Sequence, residues 1–210
     1  MDISQFKPAI VYTIYIASTP EKVWQALTTA EFSRKYFSGF AVEAELKVGG
    51  AFVARAPDGS VHIGGEVIEC DPPKKLTITW NVNWPALVEK LGVTLVTYEI
   101  EQAGDAVKLT LIQAHDRPID DDILSGGRQG WPAILSSLKS LLETGEALAN
   151  TAWSVITPGG DVIKESIGAF PRVVLSEGEY RAIAKNEGKV YERGFNVVNG
   201  VDGEVEVVAR

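Results

Sequence analysis

The sequence predicts an α+β fold in which a curved antiparallel sheet lies against a long C-terminal helix. Strand-like segments alternate apolar and polar residues, most clearly over residues 76–84. Turn-forming residues such as Gly49-Gly50 and Ala103-Gly104-Asp105 separate these segments at short intervals, which favours antiparallel connections. Apolar residues then recur at three- and four-residue spacing over Gly130–Gly145, which indicates an amphipathic helix. A helix across a curved sheet can enclose a pocket.

The first elements in the chain are a strand and two helices. Residues 10–17 are rich in β-branched side chains and alternate in polarity, which predicts a strand. Ser18-Thr19-Pro20-Glu21 supplies an N-cap candidate, a proline at the helix start and an acid in the first turn. The helix that follows carries Val23 and Trp24 on its apolar side, and a second short helix is predicted over Glu31–Tyr36.

Three strands supply most of the predicted apolar sheet face. In the strand over residues 107–115, one face is apolar at Val107, Leu109 and Leu111, and Gln113 and His115 continue the same face. The sheet face therefore becomes polar near the end of that strand. The other two strands place on this face Leu76, Ile78, Trp80, Val82 and Trp84, and Val96, Tyr98 and Ile100.

The long helix has a predicted beginning and end. Pro132 fits the first turn, where its missing N–H costs nothing, and Gly145 fits a left-handed C-terminal cap. Gly126, Gly127 and Gly130 precede or begin the helix, so the backbone can open beside Trp131 and its free N–H groups favour a ligand oxygen. We expect the entrance of the pocket here. The apolar stripe consists of Ile134, Leu135, Leu138, Leu141 and Leu142.

The pattern restarts after residue 148, which predicts a domain over residues 1–148 and a small β-rich extension with one short helix over residues 149–210. The extension is marginal in size as an independent fold. The capping-box pattern Ser176-x-x-Glu179 predicts the short helix, which stops near Gly188. The predicted strands are the hairpin 153–156 with 162–164, the strand 171–175, and the hairpin 190–198 with 204–209.

Composition excludes several classes of protein. The net charge of −8, with 20 basic residues that do not cluster, argues against nucleic-acid binding. The single cysteine, Cys70, allows no internal disulfide and fits a reducing compartment. The N-terminus lacks the pattern of a secretory signal, and no apolar run is long enough to span a membrane. We therefore expect a cytoplasmic protein without a transmembrane segment.

Three segments, in order, carry a family resemblance: Ser18–Thr28; Val48–Phe52 with Pro57-Asp58-Gly59 and Gly65–Leu76; and Gly130–Gly145. Through them, residues 9–148 resemble the Aha-type branch of the START-like (SRPBCC) helix-grip superfamily, whose members include activators of the ninety-kilodalton heat-shock chaperone. The resemblance implies a sheet wrapped around a long C-terminal helix, with a cavity that takes apolar or amphipathic small molecules. Residues 149–210 resemble no family.

The candidate ligand-binding residues combine an aromatic wall, two polar groups and two residues of the helix stripe. Aromatic walls with a few polar groups are typical of small-molecule sites. Plain core is the favoured explanation for each aromatic residue taken alone, and His115 is equally explained as a rim residue that contacts Asp116 or water. The set comprises Phe52, Trp80, Trp84, Tyr98, Gln113, His115, Trp131, Leu135 and Leu138.

Three functions remain open at this point. The preferred one is binding of a hydrophobic or amphipathic, lipid-like small molecule, without catalytic residues, metal or cofactor, because two histidines and one cysteine lack the spacing of a metal site. The second is a co-chaperone-like module whose extension binds a protein partner. The third is an enzyme similar to polyketide cyclases and aromatases, with His115, Glu66 or Tyr98 as acid or base. The oligomeric state is open, with a dimer among the alternatives.

Overall fold

The structure is a computed structural model that describes residues 3–147, 151–167, 173–186, 189–200, 205 and 207. The chain divides into two compact units, Met1–Ala147 and Leu148–Arg210. The elements of the first unit are β1 (Lys7–Ile16), α1 (Pro20–Thr28), α2 (Ala30–Tyr36), β2 (Ala41–Ala44), β3 (Ala51–Arg55), β4 (Val61–Asp71), β5 (Lys75–Thr79), β6 (Asn81–Val82), α3 (Pro85–Leu91), β7 (Thr94–Ala103), β8 (Ala106–His115) and α4 (Asp121–Thr144).

The first unit is an antiparallel sheet that holds the long helix α4 against one face. The strand order is β1-β8-β7-β5-β4-β3-β2, and β6 pairs with β4. Alternate residues of β7 and β8 point into the core, as the register Val96↔Gln113 and Tyr98↔Leu111 requires. Leu135 and Leu138 of α4 are buried in the same core. The predicted α+β helix-grip architecture is confirmed.

The two short helices predicted near the N-terminus are present, and α2 begins one residue before its predicted start. The N–H of Lys22 donates to Thr19 Oγ1 (3.4 Å), so Thr19 caps α1, and Pro20 occupies its first turn. The fully buried Ser33 of α2 accepts a hydrogen bond from the Val42 N–H (2.8 Å), which ties α2 to the start of β2. This bond fixes the middle of α2 against the edge strand β2. Helix α3 has no counterpart in the sequence prediction.

The predicted strand 76–84 is interrupted, so the prediction of one wet and one buried face is wrong. The strand ends at Thr79, and Trp80 lies outside both β5 and β6. Thr77 and Thr79 are buried as well as Leu76 and Ile78, because hydrogen bonds satisfy the threonine hydroxyls. Beyond the interruption the alternation no longer determines the buried face.

Helix α4 begins at Asp121, nine residues before the predicted helix, so Pro132 lies in its interior rather than in its first turn. A proline there leaves the carbonyl four residues earlier without a helical N–H donor. That carbonyl belongs to Arg128, and the Tyr12 hydroxyl of β1 donates to it (3.0 Å). The predicted left-handed cap at Gly145 is confirmed, with φ +84°.

Polar contacts fix the C-terminal half of α4 to β1. The Lys139 ammonium donates to the Tyr15 carbonyl (2.6 Å), and Glu143 accepts a bond from the Ala17 N–H (2.7 Å). Lys139 and Glu143 also form an ion pair with each other (2.6 Å). These contacts set the position of the apolar stripe on the sheet.

The second unit is a four-stranded antiparallel sheet with the order β10-β9-β11-β12. Its strands are β9 (Ala152–Ile156), β10 (Val162–Ile167), β11 (Gly178–Asn186) and β12 (Lys189–Val197). The predicted hairpin of β9 and β10 is confirmed.

The short helix predicted after Ser176 is wrong, because this segment is strand β11. Ala182 and Ala184 are buried at a spacing of two, and this tertiary context outweighs the capping-box pattern. Strand β12 pairs with β11. Most of residues 204–209, the partner predicted for it, lies outside the described residues. Residues 173–175 are not a strand as predicted, and residues 171 and 172 are not described.

Candidate functional site

A small apolar cavity lies in the first unit between α4 and the sheet. Its volume is about 10 Å³, about the space of a single water molecule. Helices α1, α2 and α4 and strands β2, β3, β7 and β8 all contribute to its wall. The lining residues are Leu27, Tyr36, Phe37, Val42, Phe52, Trp80, Tyr98, Leu111, Trp131, Ile134, Leu135 and Leu138.

Trp80 is the centre of the aromatic part of this wall. Its ring centroid is 5.0 Å from that of Trp131 on α4, 6.2 Å from that of Phe52 and 6.1 Å from that of Phe37. These distances are typical of contacting aromatic pairs. The irregular backbone at residue 80 thus places one indole between the helix and the strands.

Six of the nine candidate residues line the cavity, and the other three do not. The six are Phe52, Trp80, Tyr98, Trp131, Leu135 and Leu138. Sequence reasoning did not select Tyr36 and Phe37, which end α2 and form an unforeseen side of the cavity. Two adjacent aromatic residues at the end of a short helix were the available signal.

Gln113 and His115 are buried, but they bond to the protein instead of facing the cavity. The Trp131 indole N–H donates to Gln113 Oε1 (2.7 Å), which fixes the orientation of the amide. The Gln113 NH₂ group therefore donates to His115 Nε2 (2.9 Å). His115 Nδ1 carries the proton and faces Thr94 Oγ1 (3.3 Å). The side-chain nitrogen and oxygen atoms of Gln113 and His115 therefore all have a partner within the protein.

The protonation state of His115 follows from the same contacts. Burial lowers the pKa of His115, although a hydrogen bond to the Leu91 backbone and the Asp116 carboxylate oppose the shift. A proton on Nε2 would also point at the donating NH₂ group of Gln113. The imidazole is therefore neutral near pH 7, and its role here is structural.

Trp84 lies away from the cavity and is 54% exposed. The prediction that it shares a buried face with Trp80 fails, because the interruption of the strand at residue 80 changes the direction of the side chains that follow. Its ring instead packs at right angles to the His62 imidazole in a T-shaped contact, with ring centroids 5.2 Å apart and planes at 82°.

The cavity wall contains two tyrosine hydroxyls that have no hydrogen-bond partner among the described residues. Tyr36 is 4% exposed and Tyr98 is 6% exposed, and both line the cavity. Burial raises the pKa of each phenol well above the ordinary tyrosine range, so both remain protonated at neutral pH. Both hydroxyls therefore have hydrogen-bonding capacity that the described residues do not use.

The comparisons with known families agree with this geometry. Residues 17–143, more than half of the chain, match the family described as Activator of Hsp90 ATPase homolog 1-like protein. The chain belongs to this family. Residues 140–209 match a second family model, described as the Rhizobiales growth-associated tandem repeat domain. No curated protein sequence matches the chain significantly.

Solved structures of similar fold include a dimer of Aha1 from Colwellia psychrerythraea, with a TM-score of 0.54 and 23% identity, over 66% of this chain and 98% of that one. Protein MLL2253 from Mesorhizobium loti has a TM-score of 0.52 and 27% identity, over 63% and 96% of the two chains. CalU16 from Micromonospora echinospora has a TM-score of 0.51 and 21% identity, over 64% and 76%.

The acid–base candidates of this Aha-type chain do not meet in the cavity. Tyr98 lines it, but burial keeps the phenol protonated, and Glu66 is exposed on β4. Burial and then the Asp71 carboxylate raise the pKa of the Cys70 thiol, which disfavours the thiolate. Within the described ranges, no group of three or more acidic, histidine or cysteine residues is placed to hold a metal ion. No described helix is long and apolar enough to cross a membrane.

Proposed function

We propose that the first unit binds a hydrophobic small molecule carrying a single polar group, in the cavity between α4 and the sheet. The observation that carries the proposal is the pair of hydroxyls of Tyr36 and Tyr98, which have no partner among the described residues, in a largely apolar wall. A ligand hydroxyl or carbonyl can bond to either phenol while its apolar part contacts the aromatic and leucine side chains. The ligand is therefore amphipathic, and lipid-like molecules fall within this class.

Ligand entry requires the cavity to expand, since a volume of about 10 Å³ holds only one water-sized molecule. The N-terminal half of α4 is the segment best suited to move. It contains Gly126, Gly127 and Gly130 and ends near Pro132, and each of these residues weakens a helix interior. Displacement of this half would carry Trp131 away from Trp80 and open the wall between them.

The test compares cyclohexanol with cyclohexane, two apolar rings that differ by one hydroxyl. Titration into the full chain, followed by NMR, should show that Tyr98→Phe weakens cyclohexanol binding by about 2- to 10-fold and leaves cyclohexane binding unchanged. The same substitution should change the free energy of unfolding by less than about 0.5 kcal/mol, because the hydroxyl that it removes has no hydrogen bond to a described residue. Tyr12→Phe is the control, since the Tyr12 hydroxyl lies outside the cavity and is already bonded. Equal weakening of both ligands would contradict the proposed contact.

A second comparison tests the location of the ligand. Leu135→Ala and Leu109→Ala both remove a buried leucine, at a cost of about 2–5 kcal/mol in the free energy of unfolding. Only Leu135 lines the cavity. Cyclohexane should bind more tightly to Leu135→Ala than to the unmodified chain or to Leu109→Ala. Equal affinity in both variants would place the ligand elsewhere.

A second candidate function, protein binding by the second unit, is favoured by the apolar surface of β10. This strand lies at an edge of its sheet, and its Val162 and Ile163 are 56% and 47% exposed. Edge strands with exposed apolar residues readily pair with another chain. The family description suggests the assay, which is the ATPase rate of a purified Hsp90 with and without the full chain. Stimulation that Ile163→Glu abolishes would support this function, and absence of stimulation would contradict it.

A further inference from the structure

Phe40, His62 and Trp84 form a second aromatic group, the outer cluster, which the cavity does not include. The rings of Phe40 and His62 stack, with centroids 4.2 Å apart and planes at 13°. Trp84 packs at right angles to His62, with centroids 5.2 Å apart, and is 54% exposed. Trp84 thus packs against His62, which in turn stacks on Phe40, while more than half of its own surface stays exposed.

Backbone irregularities at two positions create the cluster. In the ladder between β3 and β4, Ala54 faces Ile63 and Arg55 faces Val61, so His62 is the extra residue of a β-bulge. Bulges redirect a side chain and are common beside functional sites. Phe40 follows Ser38 and Gly39, whose φ values of +50° and +82° form a left-handed turn. A non-glycine residue in this region is strained, and such strain concentrates at functional sites.

Asn83 holds the third ring in place. Its backbone N–H donates to the His62 carbonyl (2.8 Å), and its side-chain amide donates to the Val61 carbonyl (3.0 Å). Asn83 therefore closes the bulge from the opposite side and fixes Trp84, the next residue, beside the imidazole. The cluster is thus built by the backbone, and its rings keep their relative positions.

The outer cluster continues into the wall of the cavity. The Phe40 ring is 5.3 Å from that of Phe37, and Phe37 is 6.1 Å from Trp80. Phe37 and Trp80 both line the cavity. An unbroken series of aromatic contacts therefore runs from the exposed indole of Trp84 to the cavity.

The imidazole of His62 supplies the polar chemistry of the cluster. No described residue hydrogen-bonds to either ring nitrogen, so one donor and one acceptor are open to a ligand. Partial burial lowers the pKa of His62, which keeps the ring neutral near pH 7. A neutral imidazole suits an uncharged hydroxyl better than a carboxylate, which would favour the protonated ring.

We propose that the outer cluster binds the ring of a planar phenolic compound, stacked on Trp84 with its hydroxyl hydrogen-bonded to His62. This site is separate from the cavity and goes beyond the proposed function, because cyclohexanol cannot stack and its binding does not depend on Trp84. A ligand larger than one ring system can follow the aromatic series inward.

The test uses 2-naphthol and naphthalene, which present the same planar ring with and without a hydroxyl. Binding to the full chain and to each variant is followed by NMR through the line widths of the compound's own proton resonances, which do not depend on the residue at position 84. Trp84→Ala should raise the Kd of both compounds by about 10-fold, through loss of the stacking partner. His62→Phe keeps the ring on Phe40 and removes both nitrogens, so it should raise the Kd of 2-naphthol by about 5-fold and leave that of naphthalene unchanged.

Tyr15→Ala is the control, because Tyr15 is an exposed aromatic residue on β1, 55% accessible and outside the cluster. Its Kd values should equal those of the unmodified chain. Circular dichroism of each variant verifies the fold. Absence of 2-naphthol binding at millimolar concentration, or an unchanged Kd in Trp84→Ala, overturns the site. Equal loss of both compounds in His62→Phe overturns the hydrogen bond to the imidazole.

Discussion

The hydrogen bond from the Tyr12 hydroxyl to the Arg128 carbonyl should compensate for the backbone hydrogen bond that Pro132 removes from α4. Pro132 cannot donate to the Arg128 carbonyl, and the Tyr12 hydroxyl takes that place at 3.0 Å. A typical hydrogen bond contributes about 0.5–1.5 kcal/mol to stability. This one is accessible to water, so Tyr12→Phe should lower the free energy of unfolding by about 0.5–1 kcal/mol.

A double-mutant cycle separates this contact from the general effect of removing a hydroxyl. Pro132→Ala restores a helical N–H opposite the Arg128 carbonyl, and the intrinsic helix propensity changes by about 3 kcal/mol in its favour. The carbonyl then has a second donor. Tyr12→Phe should therefore cost less than half as much in the Pro132→Ala background as in the unmodified chain.

Urea unfolding followed by circular dichroism gives the four free energies of the cycle. Tyr15→Phe is the control on the same strand, because the Tyr15 ring is 55% exposed and its hydroxyl has no bond to a described residue. It should change stability by less than about 0.5 kcal/mol. An equal cost of Tyr12→Phe in both backgrounds would show that the hydroxyl does not replace the missing helical donor.

Three further predictions follow from the same helix and its contacts. Gly126→Ala should raise the free energy of unfolding by about 0.5–1 kcal/mol, because an added methyl group meets nothing within 4 Å. Gly127→Ala should gain less stability or lose it, because the added methyl group would lie 2.9 Å from the Cδ1 atom of Ile10 on β1. Urea unfolding of both variants compares their free energies of unfolding. Trp131→Phe should cost about 1–3 kcal/mol more than Trp24→Phe, a buried control, because it leaves a buried amide oxygen without its donor. Finally, the folded state holds the pKa of His115 below its unfolded value of 6.5, so the unfolded chain binds more protons as the pH falls from about 7.5 to 5.5. Stability should fall over this range, and His115→Asn should reduce the slope measured by urea unfolding at several pH values.

Periodicity predicted the elements that bury one face and failed where local chemistry competes with packing. The stripe of α4 and the face of β7 and β8 follow their 3.6- and 2-residue periods, so a sheet with a long helix against it could be predicted from the sequence. The start of α4 could not be predicted in this way. Glycines and a proline are typical of a helix boundary, but here the Tyr12 hydroxyl from a distant strand replaces the hydrogen bond that Pro132 removes, and the helix continues. Likewise, the capping-box residues at 176–179 precede a strand that pairs on both sides.

The candidate site shows which kind of information a sequence lacks. Its apolar wall was predictable, because large apolar residues on known faces are buried by default. Which polar group is free for a ligand depends instead on contacts between distant residues. Gln113 and His115 looked available on their strand, but the indole N–H of Trp131 binds the amide and the amide binds the imidazole. Trp131, Gln113 and His115 therefore use their polar atoms to bond to one another rather than to a ligand.

The opposite holds for Tyr98, which the sequence assigned to the wall, and for Tyr36, which it did not select. Their hydroxyls are the polar groups that no described residue uses, at the same cavity that the aromatic rings enclose. A hydroxyl without a hydrogen bond contributes little to stability, and phenylalanine would fill the same space. Under the proposed function, a bound molecule completes the hydrogen bonds of these hydroxyls. The Tyr98→Phe variant should then lose ligand affinity without losing stability.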